Sequence, residues 1–169
     1  MKTLVIHPKD HTTNFLSVIY KDKDWTIIND GISKEALIAL IADHERIICM
    51  GHGIPDGMLG FPYLIDERFF TDKTKNYVCI WCNADQFVKK YKIKGFYTGM
   101  IISEMEEANY IGIFHAKHKQ IEESNSLFAG SIAAFIDYPD DTVVDCILKT
   151  YDSLDNPIIE YNRQRIYQK

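Results

Sequence analysis

Long apolar runs are missing from this sequence. Near the start only Leu4, Val5 and Ile6 run together before His7 and Pro8 interrupt them. That is far short of the apolar segment of a signal peptide, or of the ~20 residues of a membrane span. An excess of positive charge is missing too: 19 Lys and Arg stand against 24 Asp and Glu, for a formal charge of −5 and a pI of about 5.6. Binding to nucleic acid or to an anionic membrane needs a dense basic patch that releases counterions, so neither partner is expected. The one basic stretch, Lys89, Lys90, Lys92 and Lys94, reads as a solvated helix end and turn. There is no phosphate-cradling glycine loop of Walker or Rossmann type, and no repeat, low-complexity segment or linker. Cysteine is sparse: Cys49, Cys79, Cys82 and Cys146. A cytoplasmic location is expected, and there these four are reduced thiols. Three of them lie inside apolar runs, whereas Cys82 comes last in its run.

What is present is an ordinary globular composition, 46% hydrophobic and 25% charged over 169 residues, enough for one domain over 1–169 with one core. Short β-branched runs alternate with helical spacing. Strands are expected over 3–7 (TLVIH), 25–29 (WTIIN), 46–50 (RIICM), 77–81 (YVCIW) and 95–98. Helices are expected over 13–20, over 34–44 with Ser33 as cap, and over 85–92, 103–109, 122–136 and 142–154. Residues 54–63, rich in Gly and Pro, read as a loop, 64–72 are ambiguous, and 158–167 suit a helix or an edge strand. Apolar runs separated by helices imply βαβ crossovers. The expected fold is α/β, a mainly parallel sheet with helices on both faces.

Such sheets place their chemistry at the carboxyl ends of the strands. Two of those ends carry reactive residues, Gly51-His52-Gly53 and Cys82-Asn83. A thiol nucleophile needs a base or imidazolium nearby, and neighbouring strands are only about 4.8 Å apart. His52 and Cys82 are therefore the candidate catalytic pair. The backbone N–H groups of Gly53 and Cys82 are candidate oxyanion donors, and a helix starting near Asp85 adds a dipole that favours a Cys82 thiolate. Asp56 is a candidate to orient His52 or to meet a basic substrate, although an Asp-Gly turn alone explains it. His7 is a weaker candidate for the same cleft.

A hydrophobic strand ending in His-Gly, then a second ending in Cys, resembles the dyad pattern of the caspase-like cysteine peptidases. Here it reads Ile47-Ile48-Cys49-Met50-Gly51-His52-Gly53, then Tyr77-Val78-Cys79-Ile80-Trp81-Cys82. The residues that follow, Cys82-Asn83-Ala84-Asp85-Gln86-Phe87, and the later small-residue segment from Ala129 to Ile136, are similar to the gingipain and clostripain branch. The resemblance covers roughly Thr3 to Ile136, and it departs from many members in carrying Trp81 before the cysteine. It implies a caspase-like three-layer sandwich and an endopeptidase acting on a peptide or protein substrate, without cofactor or metal, with preference for a basic residue before the scissile bond. The alternatives are an inactive binding or regulatory module of the same fold, and a doubly wound nucleotide or flavin binder.

Two other patterns carry less. Cys79-Ile80-Trp81-Cys82 has redox-motif spacing, but strand alternation over three residues sends the two side chains to opposite faces. His115 and His118 stand at metal-ligand spacing, yet Lys117 and Lys119 beside them repel a cation, so they read as a surface pair.

Overall fold

The computed structural model describes residues 1–151 and 155–168. Its centre is a six-stranded sheet. Strands β1 (Thr3–Ile6), β2 (Thr26–Ile28) and β3 (Arg46–Met50) are followed by a small hairpin of β4 (Gly53–Ile54) and β5 (Gly57–Met58). Then come β6 (Asn76–Ile80), β7 (Gly95–Thr98) and β8 (Ile166–Gln168). The sheet order is β2-β1-β3-β6-β7-β8. Every pair in it is parallel except β7 with β8.

Alternation along the strands divides the core in two. Leu4, Ile6, Ile47, Cys49, Tyr77, Cys79 and Trp81 face one side, where they meet α1 (Lys34–Ala42) through Leu37 and Ile41 and α2 (Ala84–Tyr91) through Phe87 and Val88. Val5, Ile48, Met50, Val78, Ile80 and Phe96 face the other. There they meet the 3-10 helix Asn14–Ile19, α4 (His118–Phe135), α5 (Asp140–Lys149) and α6 (Pro157–Arg163). The result is a three-layer α/β fold with strands buried on both faces, which is why they read as continuous apolar runs rather than as alternating ones. Among the described residues no helix is long and apolar enough to cross a membrane.

The structure departs locally from the sequence reading. Residues 13–20 close as a 3-10 helix rather than an α-helix. The β4–β5 hairpin, starting at Gly53, overlaps the loop expected at 54–63, and Met58 bridges on to Ile65. The ambiguous stretch holds a 3-10 turn, Glu67–Phe69, capped by Asp66, whose side chain accepts from the Arg68 amide. The tail is both alternatives in turn: α6, started by Asn156 and Pro157, then the edge strand β8. Helix α5 starts and ends earlier than expected, and residues 152–154 of that expectation lie outside the described residues.

One buried charge ties the layers together at the end of the sheet away from the strand exits. Arg46, 3% exposed, donates to Thr3 Oγ1 (3.1 Å), to the Ile136 carbonyl (3.0 Å) and to Asp137 Oδ1 (2.8 Å), with its guanidinium over the Trp25 ring. Partial burial alone would raise the Asp137 carboxyl. The hydrogen bonds from Lys23 and Arg46 outweigh it and hold the group below its ordinary value. A depressed folded-state pKa adds stability that is present above the usual carboxylate range and lost as the pH falls through the folded value. The unfolding free-energy difference between wild type and Asp137→Asn, from urea titrations, is therefore expected to be larger at pH 6 than at pH 2. A difference that stays flat with pH would contradict the ion-pair account.

Candidate active site

Strands β3 and β6 are paired in parallel with Met50 opposite Ile80, and the Gly51 amide carries the ladder one step further to the Ile80 carbonyl at 3.0 Å. His52 and Cys82 each stand two residues past that last pair. Both line one small cleft, together with Ile80, Ile101, Glu107 and Phe128. The sheet thus brings together the two residues singled out from the sequence.

The exits from the two strands interlock. Gly51 has φ +145°, a conformation L side chains rarely adopt. Trp81 turns to the α1–α2 face, packs edge-on against Phe87 and donates from Nε1 to the Ile54 carbonyl (3.3 Å). Its indole lies over Gly53 so closely that a Cβ there would stand 2.0 Å from Trp81 Cδ1. The tryptophan before Cys82 is thus the roof over the hairpin that follows His52. Gly53→Ala forces these groups apart and is expected to lower stability by about 1–3 kcal/mol, read as a drop in the denaturant midpoint. An unchanged midpoint would show that Trp81 is not held against the hairpin.

Cys82 is partly buried. Its Sγ approaches the Ile101 carbonyl and Glu107 Oε1, both at 3.8 Å. Burial first, and then the Glu107 charge, push the thiol up to about 12. The expected thiolate is therefore not the resting state. Helix α2 does begin next to Cys82, with Asn83 in the left-handed region at φ 68°, but its dipole does not offset burial beside a carboxylate. Glu107 is itself held by its other oxygen. Oε2 accepts from the Ser103 amide (2.6 Å), the Ser103 hydroxyl (3.1 Å) and the Glu104 amide (3.1 Å), which caps α3 (Met105–Tyr110). The loop carrying Ile101 is pinned by fully buried Asn162, which bonds both the amide and the carbonyl of Ile102 at 2.8 Å.

His52 makes no hydrogen bond to Cys82. Its Nε2 lies 2.7 Å from Thr12 Oγ1 and 3.8 Å from Asp10 Oδ1. Asp10 in turn accepts from the Thr12 hydroxyl (2.6 Å) and the Thr12 amide (2.9 Å). His52 also walls a second groove, with Pro8, Lys9, Asp10, Leu59 and Gly60, on its other side.

The remaining candidates lie elsewhere. His7 is 4% exposed and bonded to Tyr20 (3.0 Å) and Thr13 (3.2 Å). Burial moves its imidazole below the ordinary value, toward the neutral form. It anchors the loop that brings Thr12 to His52 and does not itself line the cleft. Asp56, on the hairpin turn, pairs with Lys90 at 2.9 Å and not with His52. Gly53 lies in the hairpin under Trp81. Cys79 is buried on the face opposite the cleft, and both cysteines of the C-x-x-C are free. Among the described residues no group of three or more His, Cys, Asp or Glu side chains is placed to hold a metal ion.

Sequence reading missed Asp10, Thr12 and Glu107. The first two follow a strand end in a D-x-T pattern, the usual form of a side chain folding back on its own turn. Glu107 carries a capping signal, an acid in the first helical turn, that says nothing of the thiol beside it. No protein-family model, curated protein or solved structure matches the chain.

Glu107→Gln keeps an acceptor for the α3 cap and removes the charge beside Sγ. It is expected to lower the thiol pKa and so to raise the thiolate fraction that reacts. Iodoacetamide alkylation of Cys82 at pH 8, measured by intact mass, is then expected to run about 3–10-fold faster. No acceleration would mean that Glu107 does not set the thiol's protonation.

Proposed function

We propose that the chain is a caspase-like cysteine hydrolase that cleaves peptide bonds with a His52–Cys82 pair. The observation that carries this reading is the register of β3 and β6, which sets a histidine and a cysteine on the walls of one cleft at adjacent strand exits. With the thiol pushed up to about 12, Cys82 rests as the thiol and His52 acts as general base when a substrate carbonyl is in place. The Sγ–H proton passes to His52 as sulfur bonds to the carbonyl carbon. The carbonyl electrons move to oxygen, where the Cys82 amide receives the charge. His52 then gives its proton to the leaving amine as the C–N bond breaks. Water, deprotonated by His52, cleaves the thioester and restores the thiol.

Glu107, an acid on the cleft wall, supports a basic side chain before the scissile bond. The second groove beyond His52 gives an extended chain room to continue. Four free cysteines agree with a reducing, cytoplasmic setting.

One observation favours a second reading, an inactive binding module: Sγ is buried beside the Glu107 carboxylate, which keeps the thiol protonated. A peptidyl acyloxymethyl ketone with Arg at its reactive end separates the two. A peptidase is labelled at Cys82 alone, faster than by the Asp analogue, and His52→Ala slows labelling about 10²–10⁴-fold. No labelling of wild type, with the same peptide still bound reversibly, would establish the binding module instead.

A further inference from the structure

We infer that Asp10 and Thr12 are positioning residues that fix the tautomer of His52, so that its proton sits on Nε2 and its lone pair on Nδ1. This deepens the hydrolase reading and rests on it for its functional meaning, but the tautomer itself is a property of the free protein.

The inference follows from counting protons. The Thr12 hydroxyl has one proton and two neighbours at hydrogen-bonding distance, Asp10 Oδ1 at 2.6 Å and His52 Nε2 at 2.7 Å. An ionised carboxylate only accepts. The Thr12 proton therefore goes to Asp10, and the bond to His52 must run the other way, from Nε2–H to Thr12 Oγ1. A neutral imidazole then has one nitrogen left to take a proton, Nδ1. Asp10 is fixed in this role by the second bond it accepts, from the Thr12 amide at 2.9 Å. Both Thr12 contacts come from a loop anchored by buried His7 through Thr13 and Tyr20. When His52 becomes an imidazolium, Nε2–H still has its acceptor, and the Asp10 carboxylate 3.8 Å away stands against the new charge. The carboxylate acts through a hydroxyl and not directly, as the buried acid of a nucleophile–base–acid set does.

The other charged and titratable groups around His52 do not compete for Nε2. Lys9 lines the second groove with His52, His11 lies 3.8 Å from Asp10, and Cys82 and Glu107 line the first cleft, none of them bonded to Nε2.

Nitrogen-15 NMR of histidine-labelled protein, without substrate or probe, tests this at a pH where His52 is neutral, with His52→Gln to assign the ring. Wild type is expected to show one tautomer, protonated at Nε2. Thr12→Ser, which keeps the hydroxyl, is expected to preserve it. Thr12→Val is expected to lose the single tautomer, and so is Asp10→Asn, whose amide can donate to Thr12 and reverse the chain of bonds. An Nδ1–H ring in wild type, or a single Nε2–H tautomer surviving in both Thr12→Val and Asp10→Asn, overturns the inference. The ketone-labelling experiment reports separately on the hydrolase reading. A fixed tautomer with no labelling of Cys82 would leave the relay standing and remove the peptidase.

Discussion

The pairing of β3 with β6 is the constraint on which the candidate site depends. Because side chains alternate with a period of two, a slip of one residue would exchange the faces of Ile47, Ile48, Cys49 and Met50. Both faces are buried, one against α1 and α2 and the other against α4 and α5, so each wrong register would meet a packed layer with the wrong side chains. Met50 is thereby held opposite Ile80. The chain then leaves the sheet on both strands at the same height, and whatever follows by two residues is brought to one cleft. Parallel pairing matters as much as register, since it puts two carboxyl ends side by side and sends the return crossovers away from the opening.

The strand exits add a second constraint, built from one large residue and two glycines. Trp81 continues the alternation of β6 onto the α2 side, where Phe87 and Phe70 surround it. Its indole then occupies the space where a side chain at position 53 would sit. Gly51 supplies the backbone turn and Gly53 the clearance, so the flanking glycines of His52 have separate causes. Trp81 also explains the loop after His52: it holds the hairpin by donating to the Ile54 carbonyl and thus limits where the chain beyond His52 can go.

The sheet, its parallel sense and the places where His52 and Cys82 emerge were legible in the sequence because each follows from local pattern. Apolar runs such as RIICM and YVCIW mark strands buried on both faces, and the glycines and the Cys82-Asn83 step mark their ends. The surroundings of the pair were not legible, because they come from contacts across long stretches of chain. Thr12 reaches His52 from 40 residues away and Glu107 reaches Cys82 from 25. Neither spacing has a period to detect. The thiolate expected from a nearby helix start failed for the same reason. The dipole was visible in the sequence, while the burial and the carboxylate that outweigh it were contributed by the β7–α3 segment. The β4–β5 hairpin was hidden by its length, two residues a side, too short for alternation to register.

The position of Glu107 decides how a site of this kind could operate. Its carboxylate opposes negative charge at Sγ, 3.8 Å away, and so disfavours a free thiolate in the resting protein. Along the hydrolase path the charge does not stay on sulfur. It passes to the carbonyl oxygen as the C–S bond forms. A carboxylate beside Sγ therefore disfavours a thiolate–imidazolium pair, and a hydrolase built this way starts from the protonated thiol. A protonated resting thiol is also a poor target for oxidation, which follows thiolate character and exposure. The bond that caps α3 thus performs two tasks at once. It fixes the helix through Oε2 and, because that fixes Oε1 beside Cys82, it disfavours a thiolate there.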